Sequence, residues 1–342
     1  MRNTADWAIH RIESEYKDDV CILVEHKTFR LAADRDENSF CFYVPATSRA
    51  NGLARTFIIG GIGYDLFPMS WERIERIADV KDYLITCLAD AEVLYSRNDG
   101  DRQRFTSLQA RLRANLRNPQ FVHSRALERL STAVGLYQEM LFEDELYRVR
   151  TKAGDICIIL SMAVALINHQ YLPYGQTDQI KELSSMDEVP AGFTDLYERI
   201  VLARSADEQK RLCHEIIVST KTFLAEHDTF SARRTSAPDF SELADWYQEL
   251  SYTWRRVRHF CDANEPVNAY MWCCLLQNEL DEVGEEYGIT GLDVFGAYDP
   301  ENLPAFRERA DLVEQRIVAA IEANGVAIDS YPTMDDFLER NP

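Results

Sequence analysis

The sequence predicts an α+β protein, with a small sheet-bearing domain at the N-terminal end and a large all-helical C-terminal region. Three observations carry that expectation. Short runs rich in β-branched and aromatic residues are confined to residues 20–95. From about residue 101 onward, apolar residues recur every three or four positions, the period of an amphipathic helix. A chain of 342 residues with 46% hydrophobic content can bury a full core and has room for two or three domains.

The strand signals are 20–24, 40–44, a third run that starts at 57–59 and is expected to continue as one strand to Phe67, and a short fourth at 92–95. A helix is expected between the third and fourth. Ser70 stands at its N-cap after Pro68, Glu72 lies in its first turn, and Trp71, Ile74, Ile77 and Ala78 recur at helical spacing. Farther on, Phe105, Leu108, Leu112 and Leu116 make one apolar stripe, and Leu127, Leu130, Val134, Tyr137 and Leu141 make another. Further helices are expected at 153–171, 194–203, 207–226, 239–261, 266–286 and 304–323, with prolines and glycines such as Pro173, Pro190, Gly192, Pro238 and Pro304 at their breaks. Residues 228–238 are polar and aperiodic and read as a linker. No internal repeat is visible. These signals divide the chain into 1–100, 101–230 and 239–342.

A net charge of −20 argues against nucleic acid as a partner, since binding its backbone rests on Lys and Arg. Such a field suits a cationic small molecule, and it also serves solubility. The apolar stretch 156–167 is too short for a membrane span and reads as a buried helix. The first residues carry no apolar core with a cleavage site, so the expected location is cytoplasmic. The eight cysteines are scattered through apolar segments without zinc or redox spacing, and read as reduced core residues. The oligomeric state is open.

Chemistry is concentrated in the carboxylates of the strand region. Asp34 and Asp36 precede the second run, and two residues apart on extended chain their side chains point the same way. Asp65 ends the next run, in Gly60-Gly-Ile-Gly-Tyr-Asp65-Leu-Phe-Pro. Carboxylates on neighbouring strands can hold divalent metal at a phosphate, two ions standing about 4 Å apart in two-metal sites. This order of strand, acidic pair, strand and lone acid resembles the nucleotidyltransferase fold of the polymerase-β type, particularly the bacterial aminoglycoside nucleotidyltransferases. Residues 142–145 and the apolar helix ending Ala165-Leu-Ile-Asn168-His-Gln-Tyr171 look like that family's helical domain.

The resemblance covers residues 18–227 and implies a small mixed sheet followed by an acceptor-binding helical bundle at 101–230. It further implies Mg²⁺-dependent transfer of a nucleoside monophosphate from ATP or another nucleoside triphosphate to a hydroxyl of a small acceptor. Asp34, Asp36 and Asp65 would hold metal, Lys27 and Thr28 would meet phosphate, and Glu145 would be the base. The sequence departs from the family pattern twice. Where the family has Gly-Ser after the first strand, this chain has Glu25-His26-Lys27-Thr28, without a glycine to let phosphate near the backbone. Three residues also separate Asp36 from Phe40, so in the stricter register the metal positions fall on Asn38 and Phe40.

Two other readings therefore stand beside transfer: a catalytically inactive nucleotidyltransferase-like binding module, and a helical interaction scaffold. Glu139 and Glu143 share a face at i, i+4 spacing near the end of one expected helix, with Glu145 just beyond. The basic run Trp254-Arg-Arg-Val-Arg-His259 offers either phosphate binding or ion pairing with surrounding acids. His169 reads as a satisfied core group.

Overall fold

The computed structural model describes residues 4–27, 39–173, 178–228 and 238–340. The chain divides into two compact units, Met1–Ser231 and Ala232–Pro342. The architecture is α+β: a five-stranded mixed sheet near the N-terminus, then helices. No helix among the described residues is long and apolar enough to cross a membrane.

The first unit opens with helix α1 (Thr4–Arg11), followed by strands β1 (Val20–Lys27), β2 (Ser39–Pro45), β3 (Arg55–Ile59) and β4 (Ile62–Pro68). Helices α2 (Trp71–Ala78) and α3 (Thr86–Ala89) lead to β5 (Glu92–Ser96). The sheet order is β3-β4-β2-β1-β5. The pairing of β2 with β4 is parallel, and β1–β2, β1–β5 and β3–β4 are antiparallel. Alternation along β2 serves both faces of the sheet. Phe42 and Val44 enter a core with Ile74, Ile77, Leu88 and Phe105. Tyr43 enters a second core with Ala8, Ile12, Leu53 and Leu66, where its hydroxyl donates to Ala50 O at 2.8 Å.

The third expected strand is two strands. Gly60 and Gly61 have φ of +58° and +83°, and Ile59 faces Ile62 across them, so the chain reverses in a two-residue hairpin. Turns with both central residues at positive φ match the twist of paired strands and favour glycine there. The reversal makes β3 an edge strand, with Ile58 77% and Ile59 55% exposed.

Helix α2 starts where the sequence predicts, with the Ser70 hydroxyl accepting from Arg73 N at 3.2 Å. Helix α4 (Asp99–Leu116) buries Phe105, Leu108, Leu112 and Leu116 as expected. Helix α5 (Pro119–Leu141) keeps the middle of its expected stripe, with Leu130 buried and Val134 and Tyr137 packed partly buried against the core. It buries Val122, Ala126, Leu130, Ala133 and Met140, whereas Leu127 and Leu141 are exposed. Small Ala126 and Ala133 share the buried face with Leu130. Helix α6 (Leu146–Ile167) carries the buried stretch that includes Ile156, Leu160 and Val164. It ends before residue 171 because His169 takes φ +58°, and Gln170 N bonds back to Ala165 O in a C-terminal cap. Helices α7 (Gln179–Ser184), α8 (Phe193–Leu202) and α9 (Ala206–Glu226) complete the unit, and one hydrophobic core runs from β1 to α9.

The second unit contains α10 (Phe240–Asp262), α11 (Pro266–Tyr287), α12 (Leu303–Ala323) and α13 (Met334–Arg340). Its core gathers Trp254, Val257, Cys273, Leu276, Phe306 and Val313. The basic run belongs to this scaffold. Arg258 pairs with Asp311 and Glu314, and the Arg256 guanidinium lies over the rings of Tyr252 at 4.2 Å and Trp272 at 4.1 Å.

Nothing lies within 4 Å of a Cβ built on Gly60 or Gly61, so replacing either costs backbone conformation alone. In urea unfolding, Gly61→Val is expected to lose about 1–2 kcal/mol, the penalty of a left-handed non-glycine residue. Gly60→Asn is expected to stay within about 0.5 kcal/mol of the parent, because Asn-Gly suits this turn.

Candidate functional site

The sheet positions the sequence-predicted carboxylate at the start of its parallel pair. Cys41 stands beside Leu66, Phe42 beside Phe67 and Tyr43 beside Pro68. One step back along both strands, Asp65 is level with Phe40. Lys27 is the last residue of β1 and faces Ser39 on β2, so it lies at the same end of the sheet. With strands about 4.8 Å apart, two spacings separate the backbones of Lys27 and Asp65, roughly 10 Å. Residues 28–38 join β1 to β2. Thr28, Asp34 and Asp36 fall in that stretch, outside the described residues.

Asp65 is exposed, and on the antiparallel side it faces Thr56, whose hydroxyl donates to Asp65 Oδ1 at 3.0 Å. That bond orients the carboxylate through Oδ1. Alternation puts Tyr64 and Leu66 on the opposite face of β4 from Asp65. There Phe57 stacks on Tyr64 at 5.6 Å, and Trp7 from α1 meets Phe57 edge-on at 6.0 Å. Trp7, Phe57, Tyr64 and Leu66, with Thr4, Ala8 and Asp65, line a crevice of about 10 Å³. It has room for a single water. This aromatic group was not legible from the sequence, because it forms only once the glycine hairpin folds Tyr64 onto Phe57.

Glu145 occupies the N-cap position of α6, exposed and with no side-chain hydrogen bond to the helix. Its neighbours are arranged differently from expectation. Helix α5 ends at Leu141, so Glu139 and Glu143 do not share a helical face. Glu139 pairs with Lys152 at 2.5 Å, and Glu143 lies 3.6 Å from Arg148. Glu145 is carried by the α5–α6 pair and Asp65 by the β3–β4 pair, and no described hydrogen bond or ion pair links the two residues.

Among the described residues, no three His, Cys, Asp or Glu groups come together to hold a metal ion. Asp65 is one of the three carboxylates the resemblance implies, and by itself it does not make a magnesium donor set. Behind the end of β1, His26 is 5% exposed, with Nε2 3.4 Å from Cys87 Sγ. The contact resembles a nucleophile and its base, yet burial pushes the Cys87 thiol up to about 12. At neutral pH it is an inert thiol.

No protein-family model matches the chain, and no curated protein matches it. Among solved structures, a nucleotidyltransferase-like protein from Exiguobacterium sibiricum 255-15 aligns over 65% of this chain and 74% of that one, at 13% identity and a TM-score of 0.37. A likeness that loose assigns no activity.

Of the seven cysteines whose surroundings are described, Cys274 alone is not buried. In the native protein, a limiting thiol reagent is expected to label Cys274 ahead of Cys21, Cys87, Cys157, Cys213, Cys261 and Cys273, with peptide mapping as the readout. Labelling of Cys87 at a comparable rate would show that the His26 contact activates it.

Proposed function

We propose that this chain is a nucleotidyltransferase-like binding module, taking a nucleoside triphosphate at the end of the sheet that carries Lys27 and Asp65 without passing on its nucleoside monophosphate. The single observation that carries this reading is the parallel register, which sets Asp65 level with Phe40. Two metal ions at a phosphate need carboxylates converging within a few ångströms. Phe40 offers no ligand at the neighbouring position, and Asp36 lies four residues earlier in the sequence, outside the described residues. The segment Glu25-His26-Lys27-Thr28 also lacks the glycine that would bring phosphate to the backbone.

The second reading is transfer. It is favoured by the exposure of Asp65 at the end of the sheet where residues 28–38 join the strands. In that reading Asp34, Asp36 and Asp65 would hold Mg²⁺, Lys27 and Thr28 would contact phosphate, and Glu145 would accept a proton from a small, cationic acceptor's hydroxyl.

Labelled nucleoside triphosphates, with and without Mg²⁺, separate the two. A binding module is expected to retain triphosphate in a chelator, to lose about tenfold in affinity with Lys27→Ala by removal of one charge-assisted contact, and to release no pyrophosphate with any hydroxyl acceptor. Pyrophosphate release that requires Mg²⁺ and disappears with Asp65→Ala establishes transfer instead. Absence of triphosphate binding under all conditions overturns both.

A further inference from the structure

The last turn of α9 is held by a histidine whose two ring nitrogens both face acceptors. His227, at the C-cap, has Nδ1 2.7 Å from Phe223 O and Nε2 in close contact with Glu188 Oε2. Its ring packs on Phe223 with centroids 4.3 Å apart. Glu188 comes from the connection between α7 and α8, and its backbone is fixed from both sides by one side chain. Asn168, at the end of α6, donates from Nδ2 to Glu188 O at 2.7 Å and accepts from Glu188 N at 3.0 Å.

A carbonyl and an ionised carboxylate can only accept. A neutral imidazole has one N–H and one lone pair, so it can satisfy one of them and must turn its lone pair toward the other. Both contacts are satisfied together only by imidazolium. The helix C-terminus favours that charge as well. Other titratable groups at the turn are Glu226 and Asp228 beside His227 in the chain, and His123 from α5, whose Nε2 lies 2.9 Å from Leu224 O. Burial lowers the His227 pKa, but the Phe223 carbonyl and the Glu188 carboxylate outweigh it and hold the value above that of an ordinary histidine.

We propose that His227 is a proton-operated clasp: protonated, it ties the end of α9 to Glu188, and on losing its proton it lets that tie go. The contribution is complete below the unfolded-state value of about 6.5 and is lost as pH rises through the higher folded-state value. The clasp is closed at low pH and opens as pH rises past the range of an ordinary histidine. Since α9 is the last helix of the Met1–Ser231 unit, the proton sets how firmly the chain is held where it leaves that unit.

Carbon-13 labelling of the histidines in the full chain, with pH titration by NMR, tests this, the His227 signal being assigned from His227→Gln. The expected midpoint for His227 is above about 6.5. It should fall toward that value in Glu188→Gln, a variant that leaves the backbone contacts of Asn168 in place. Hydrogen-exchange protection of amides 224–228, corrected for intrinsic rates, is expected to drop about tenfold for each unit by which the midpoint is raised. In Glu188→Gln the drop should shrink in step with the midpoint. A midpoint at or below about 6.5, a midpoint indifferent to Glu188→Gln, or protection without a step through the titration would each overturn the clasp.

Discussion

β2 is the third of the five described strands and the one on which two cores meet. Its hydrogen bonds are taken by β1 on one side and β4 on the other. Its side chains alternate between the core that reaches the helical region and the smaller core under α1. Slipping β2 by one residue would send Phe42 and Val44 to the face where Tyr43 bonds Ala50, and Tyr43 into the larger core. Each buried aromatic or aliphatic side chain accounts for about 1.5–3 kcal/mol, so the cost of a slip falls on both faces at once. That locks the register, and through the parallel pair it also locks the level at which Asp65 stands. The placement of the candidate carboxylate follows from packing rather than from chemistry.

The parts of this structure legible from sequence are those where one physical signal acts alone. The stripe Phe105-Leu108-Leu112-Leu116 has large residues on one side of its helix and polar residues opposite, and it is buried as the periodicity requires. Ser70 caps α2 because the hydroxyl, the preceding Pro68 and the following apolar period agree. Where two signals compete, the sequence is ambiguous. Helix α5 offers a stripe of leucines and a stripe of alanines, and the tertiary neighbours bury the alanines with Leu130 and leave Leu127 and Leu141 exposed. Between residues 57 and 67 the apolar character suggests one long strand, while Gly60-Gly61 turns it back on itself. The glycine pair was the available signal. It lost to hydrophobic continuity because a strand can tolerate a glycine, whereas only the fold requires positive φ at both.

The candidate site was less legible than the fold for a related reason. Asp65 is a surface carboxylate, and its meaning depends on which residue stands beside it on another strand. Neither Thr56 nor Phe40 can be assigned that place without the pairing pattern. Similarly, the tie between His227 and Glu188 spans 39 residues and is organised by Asn168, a residue whose sequence context suggested only the end of a buried helix. Polar contacts of this kind leave no periodicity.

The hairpin that creates β3 also shapes the protein's colloidal behaviour. An edge strand with one rim unpaired among the described strands and two solvent-facing isoleucines is a template on which another extended segment can add. Its own charged residue is Arg55, at the far end from Ile58 and Ile59. The guard against such addition is global: a net charge of −20 repels one copy from the next. Ions screen that repulsion within about 8 Å at physiological strength and more closely in concentrated salt, while leaving the apolar rim as attractive as before. High ionic strength, often chosen to keep proteins in solution, removes from this one its principal barrier to self-association.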